Sequence, residues 1–221
     1  MKTQEKIKKD VVDQLAWDSR VDANDVTVTV DNNTVNLSGT VPSYSAMVTA
    51  ENIAYSVIGV VDVNNRLTVK FPELFTAPTD KEIKDSVKRV LQWNTDVNTI
   101  DITFMVDNGV VTLEGSVPSF WQKITAESDA QRVQGVIDVI NKIVVVPTEK
   151  IGDEIVGERV MDRIEKNTFA DVDNIDVKVE NGTVTISGNV SSYAQWKSVY
   201  DTAQYTAGVR DIEDILRIKY A

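Results

Sequence analysis

Three aspartates, Asp62, Asp138 and Asp211, each stand three residues after a glycine (Gly59, Gly135 and Gly208), with a valine directly after the glycine in every case. A carboxylate beside a glycine turn is raw material for a hard-cation site, because such cations take oxygen ligands, backbone carbonyls included. Gly59, Asp62, Gly135, Asp138, Gly208 and Asp211 are therefore the candidate ligand-binding residues for a monovalent cation. The competing reading is plainer: alternate residues of a strand face opposite sides, so a recurring aspartate can simply mark the wet face.

Other chemistry is narrowed by what the chain lacks. It has no histidine and no cysteine, which removes the commonest general base, the commonest transition-metal ligand and all thiolate chemistry. Asp171, Asp173 and Asp176 imitate the opening of a calcium loop. Ile175 occupies its fifth position, and the glycine and distal glutamate are missing, so the EF-hand pattern fails. No carboxylate pair recurs beside a nucleophile. The expectation is a binding protein, not an enzyme, with no metal centre and no cofactor.

Four tryptophans are the candidate contacts for a partner or a lipid surface. Trp17 and Trp93 share one position just past a helical stretch, where a third copy carries Lys166. Trp121 and Trp196 lie at neighbouring positions on another helical stretch, where the first copy has Ser45 and Met47. Packing between repeated units is the first reading for such aromatics, and partner or lipid contact the second. Lys2, Lys6, Lys8 and Lys9, and again Lys81, Lys84, Lys88 and Arg89, form basic clusters, but acids interleave them as on a solvated helix face. The net charge of −11 argues against nucleic acid, which demands a cationic footprint, and opposes anionic phospholipid. No apolar stretch is long enough to span a bilayer, and the cationic start is not followed by an apolar run. With Met1 as the native start the expected location is cytoplasmic, and for a trimmed chain periplasmic.

These residues sit in a pattern that occurs three times. Val35-Asn36-Leu37-Ser38-Gly39-Thr40-Val41-Pro42-Ser43 returns from Val111 to Ser119 and from Val184 to Ser192. Aligned on Gly39, Gly115 and Gly188, the copies register without a gap. Each opens with an apolar stripe at helical spacing: Ile7, Val11, Leu15; Ile83, Val87, Leu91; Val156, Val160, Ile164. A strand of alternating apolar residues follows (from Val26, Ile102 and Ile175), then Asn-Asn or Asn-Gly, the signature of a type I′ hairpin turn. The second strand ends at the first glycine, read as a bulge or as the place where the next helix comes too close for a Cβ. Ser43, Ser119 and Ser192 resemble N-caps of a second helix running to the second glycine. A third strand closes the unit. The fold class is α+β: three tandem αββαβ units, each a three-stranded mixed sheet with two helices on one face. The expected domains are 1–70, 71–148 and 149–221, with proline-stiffened linkers at 70–78 and 146–151.

The strand ending in Leu-Ser-Gly-Thr-Val-Pro-Ser, the helix, and the Gly-Val and Asp-Val pairs together resemble the BON domain of bacterial osmotic-stress and transport-associated proteins, in three tandem copies. Ser191 departs from the proline of the other two. The resemblance implies a non-enzymatic, stress-associated binding module. Similar domains are associated with phospholipid or envelope binding and, in cytosolic members, with potassium. A protein–protein scaffold is the third possibility. Many envelope members carry an export signal; none is expected at this cationic start if Met1 is native, which points away from a periplasmic role.

Overall fold

The computed structural model describes residues 2–166 and 175–220. Each unit runs helix, strand, strand, helix, strand. Unit 1 holds α1 (Gln4–Trp17), β1 (Val26–Asp31), β2 (Thr34–Val41), α2 (Tyr44–Ser56) and β3 (Asp62–Val69). Unit 2 holds α3 (Asp80–Trp93), β4 (Ile102–Asp107), β5 (Val110–Val117), α4 (Phe120–Gln131) and β6 (Asp138–Val145). Unit 3 holds α5 (Asp153–Glu165), β7 (Ile175–Glu180), β8 (Thr183–Val190), α6 (Tyr193–Gln204) and β9 (Asp211–Ile218). The hairpin pair is antiparallel and the crossover pair parallel in all three sheets. The expected α+β architecture is the one observed.

The apolar stripes of α1, α3 and α5 are fully buried against their sheets. Ala54, Ala130 and Ala203 are also fully buried, their small side chains allowing the second helix close to the strands. The hairpin turns have positive φ at both central residues, including Asn32 and Asn33, where asparagine replaces the usual glycine. In units 2 and 3 the first helix holds that turn in place. Asp80 accepts the N–H groups of Asn108 (2.8 Å) and Gly109 (2.9 Å), and Asp153 those of Asn181 (2.7 Å) and Gly182 (2.8 Å).

Two expectations change in detail. The first glycine does not make room for a helix. At Gly115, φ is +124°, and a Cβ there would lie 1.9 Å from the carbonyl oxygen of Asp101, which accepts the N–H of Ser116. The second helices also stop short of the second glycine: α2 ends at Ser56, and Gly59 lies in the turn from Val57 to Val60 that follows it. Ser43 and Ser192 cap their helices as expected, whereas the Ser119 hydroxyl makes no capping bond.

The units are not equally joined. Units 2 and 3 share one continuous apolar core, which includes Phe120. Unit 1 has a core of its own, running from Ile7 to Leu67. It meets the others through tyrosines. Tyr44 packs against the shared core beside Asp138, and Tyr193 and Tyr220 of unit 3 donate to Asn52 Oδ1 and the Val60 carbonyl, each at 3.0 Å.

Candidate functional site

The third strand of each unit lies at a sheet edge, and its free N–H groups explain the recurring aspartate. Lys70 N–H donates to Val41 at the end of the β2–β3 ladder, as Val146 does to Val117 and Lys219 to Val190. By alternation, the N–H groups of Val63, Val139 and Ile212 point away from the sheet. Asp62, Asp138 and Asp211 accept these N–H groups at 2.9, 2.8 and 3.1 Å. A second edge donor is covered in the same way: Asn65 Oδ1 takes Leu67 N–H, Asn141 takes Ile143 and Asp214 takes Leu216. Unpaired strand edges invite pairing with other chains, and side-chain acceptors blunt them.

Phenols add to this. Tyr55 donates to Asp62 at 3.1 Å, and Tyr44 reaches across to Asp138. Burial, and then the neighbouring carboxylate, pushes both tyrosines up to about 12. The glycines of the candidate cation set are held against the first helices, Gly59 against Ile7, Gly135 against Ile83 and Gly208 against Val156. The Gly59 carbonyl accepts Asn33 Nδ2 at 2.8 Å. Asp62, Asp138 and Asp211 lie in three separate units and do not meet. Asp171 and Asp173 lie outside the described residues.

The structure brings a different group of residues together. In units 1 and 2 an asparagine on the third strand clips the second helix. Asn65 Nδ2 donates to the Met47 carbonyl (3.3 Å) and Glu51 (3.1 Å), and Asn141 Nδ2 to the Lys123 carbonyl and Glu127 (3.0 Å each). Unit 3 has Asp214 in place of the asparagine and Tyr200 in place of the glutamate. An anionic acceptor cannot donate to a carbonyl or to a second carboxylate, so the clip cannot form. Trp196 Nε1 donates to Asp214 instead, at 2.6 Å.

Four rings fill the space in sequence. Tyr55 stacks on Tyr193 (5.3 Å between centroids), Tyr193 on Trp196 (5.2 Å) and Trp196 on Tyr200 (5.3 Å). The strand under α6 is less covered than its counterparts: Ile212 and Leu216 are half-buried where Val139 and Ile143 are buried. Between units 1 and 3 this leaves a groove of about 700 Å³. Glu51, Tyr55, Val61 and Asp62 form one wall, and Tyr193, Trp196, Asp214, Leu216 and Ile218 the other, with Arg217 and Lys219 at its margin. A smaller opening of about 350 Å³ adjoins the same rings near Lys197 and Gln204.

Of the four expected tryptophans, only Trp196 takes part in this site. Trp121 is half-buried on α4 and joins no ring stack among the described residues. Trp17 and Trp93 are 74% and 83% exposed, and exposed Ile58 stands beside Trp17. Half of the basic cluster residues are ion-paired, Lys2 and Lys6 with Asp10, Lys9 with Asp13, and Lys81 with Asp85. Tyr55, Tyr193, Tyr200 and Asp214 were not singled out from the sequence. The available signal was the exchange of Glu51 and Glu127 for Tyr200, and of Asn65 and Asn141 for Asp214, at matched positions.

The chain is similar in sequence to known bacterial proteins. Osmotically-inducible protein Y of Escherichia coli is 27% identical over 146 residues, covering 63% of this chain and 73% of that protein. Outer membrane lipoprotein DolP of Haemophilus influenzae is 32% identical over 114 residues, covering 50% of this chain and 58% of that protein. CdsD, a structural protein of the type III secretion system of Chlamydia trachomatis, aligns over 96% of this chain and 92% of its own at 14% identity, with a TM-score of 0.28. That score adds nothing to the functional reading.

The cytoplasmic location expected from the amino terminus is corrected by this kinship, because a relative is an outer membrane lipoprotein. Charge patterning at a chain start reports on a targeting segment, not on the setting in which the folded units work. The BON domain pattern matches residues 3–70, 79–147 and 152–220, and the chain belongs to the BON domain family, with three tandem copies.

Proposed function

We propose that this chain is a non-enzymatic, stress-associated binding protein of the bacterial envelope, and that the aromatic groove between units 1 and 3 is its binding site. The observation that carries this reading is the missing clip in unit 3. Two units close the helix onto the strand with asparagine and glutamate; the third opens that seam and lines it with tyrosine and tryptophan. Aromatic rings offer large contact area with a polar tip, which suits them to binding surfaces. The osmotically inducible and outer-membrane relatives support the stress and envelope setting.

A protein in which Trp17, Trp93 and Trp121 are replaced by phenylalanine keeps Trp196 as its only indole. Its emission is expected to shift on titration with the occupant of the groove. Potassium against sodium at equal ionic strength, divalent cations, phospholipid headgroups and short peptides are the arms to compare. An emission unmoved by all of them removes the groove from consideration. A rise in melting temperature with potassium but not sodium, without a Trp196 response, would return the cation to the glycine–aspartate turns.

A second reading rests on Trp17 and Trp93, exposed at equivalent positions of two units. Indoles favour the membrane–water interface, and these two would anchor the chain on a phospholipid surface. Phosphatidylcholine vesicles are expected to pellet the protein, and phosphatidylglycerol vesicles to do so better at high salt, where repulsion of the acidic chain is screened. Trp17→Ala with Trp93→Ala should weaken partitioning at least about tenfold, or about 0.7 kcal/mol per indole. Equal pelleting of both proteins excludes this surface.

A further inference from the structure

The groove is bordered by an edge strand whose outward N–H groups are only half covered among the described residues. In β9 the N–H and C=O groups of Ile212, Asp214, Leu216 and Ile218 point away from β8, since Lys219 N–H, of the other parity, closes the ladder on Val190. Side chains cap the N–H groups of Ile212 and Leu216. Those of Asp214 and Ile218 have no partner among the described residues. Along this stretch the strand residues that line the groove alternate in kind. Asp214, Leu216 and Ile218 share the face turned to α6, and Arg217 and Lys219 project from the opposite face. The carboxylates of Glu51, Asp62 and Asp214 line the groove beside the stacked rings, and Asp214 is the one on the inner face of β9.

We propose that the groove takes an extended, basic segment of a partner protein as an added strand on the free edge of β9, with a lysine or arginine side chain directed to Asp214 and Trp196. The proposal rests on the groove reading above and names its occupant. Main-chain hydrogen bonds to a sheet edge supply affinity in this mode, and pockets for alternate side chains supply selection. A cation held by a carboxylate and an aromatic ring fits the inner wall. The groove volume of about 700 Å³ accommodates a short run of residues, not a folded domain. In units 1 and 2 the asparagine–glutamate clip occupies the seam between the second helix and the third strand, the seam that Trp196 and Tyr200 line in unit 3.

The test uses a fluorescein-labelled eight-residue peptide alternating valine with lysine or threonine, followed by fluorescence anisotropy against the full chain. Saturable binding is expected, weakened at least about tenfold when glutamate replaces lysine and when alternate peptide amides are N-methylated. Asp214→Lys should weaken it equally. The triple change Trp196→Met, Tyr200→Glu and Asp214→Asn installs the clip of unit 1 and should abolish binding with circular dichroism unchanged. If the triple variant does not fold, the single charge reversal and the N-methylated peptide still decide the matter. Undiminished binding of the N-methylated peptide, or of the native peptide to Asp214→Lys, overturns the added strand. No binding of the basic peptide, together with a Trp196 response to another ligand, overturns the added strand and leaves the groove reading intact.

Discussion

Replacing Gly115 by alanine is expected to unfold unit 2. The residue has φ of +124°, a conformation that residues with a Cβ rarely adopt, and the new Cβ would sit 1.9 Å from the Asp101 carbonyl oxygen. Neither atom belongs to a flexible side chain, so relief requires moving the start of β4. That movement breaks the Ser116–Asp101 hydrogen bond and disturbs Ile102, which is buried in the shared core. Backbone strain of about 1–3 kcal/mol and a lost hydrogen bond of about 1 kcal/mol give about 2–4 kcal/mol, to which the clash itself adds. A unit of this size has only about 4–10 kcal/mol of stability to lose. Unit 3 should be weakened too, since its core is continuous with that of unit 2, while unit 1 keeps its own. Hydrogen exchange resolved by segment is the measurement. Protection should fall across residues 102–145 and partly in unit 3, and persist in β1–β3. Unchanged protection around β4 and β5 would show that the strand accommodates the Cβ.

Tyr193→Ala is expected to detach unit 1 from unit 3. The ring stacks on both Tyr55 and Trp196, and its hydroxyl donates to Asn52. Two aromatic pairs at about 0.5–1.5 kcal/mol each, with one hydrogen bond of about 1 kcal/mol, amount to about 3 kcal/mol. For chains of this length that corresponds to a fall of about 6–12 °C in the transition that includes this interface. Tyr193→Phe keeps both stacks and should cost only the hydrogen bond, about 1 kcal/mol. Calorimetry should show the unit 1 transition separating from that of units 2 and 3. A single transition within about 1 °C of the parent for Tyr193→Ala would mean that the ladder contributes nothing to docking.

The same contacts carry a pH dependence with a definite sign. Tyr44 and Tyr55 rise to about 12 in the folded chain from about 10 unfolded, through burial and then through Asp138 and Asp62 respectively. A folded-state pKa above the unfolded one means stability fully present below pH 10 and lost as pH climbs through 12. Both phenols are partly exposed, so solvent screening reduces each contribution to about 1 kcal/mol. Docking of unit 1 should therefore loosen between pH 10 and 12, and Tyr55→Phe should blunt that loss.

The fold was legible because its determinants are local. Helical stripes such as Ile83, Val87 and Leu91, alternation such as Val26, Val28 and Val30, and the Asn-Gly turns report on their own neighbourhood. Three copies in register then multiplied a moderate pattern into a firm one. The site was legible only in part. Trp196 stood out by residue type, but its relation to Tyr55 depends on two units approaching through α2 and α6, which no periodicity within a unit encodes. The recurring aspartates were visible as a pattern. Their use became clear only when the parity of the β3, β6 and β9 edges was known, because an N–H that points away from a sheet looks the same in sequence as one that points into it.

Sequence alone determined the tandem αββαβ units, their hairpin turns, the absence of histidine and cysteine chemistry, and family membership. Tertiary structure decided that Asp62, Asp138 and Asp211 cover edge donors in separate units. It also decided that Trp17 and Trp93 stand in solvent, and that exchanging an asparagine–glutamate clip for Asp214 and Tyr200 opens a groove in unit 3. The physical reason is range. Helix, strand and turn preferences act over a few residues, whereas the groove forms between residues more than 130 positions apart, brought together only by packing of the finished units.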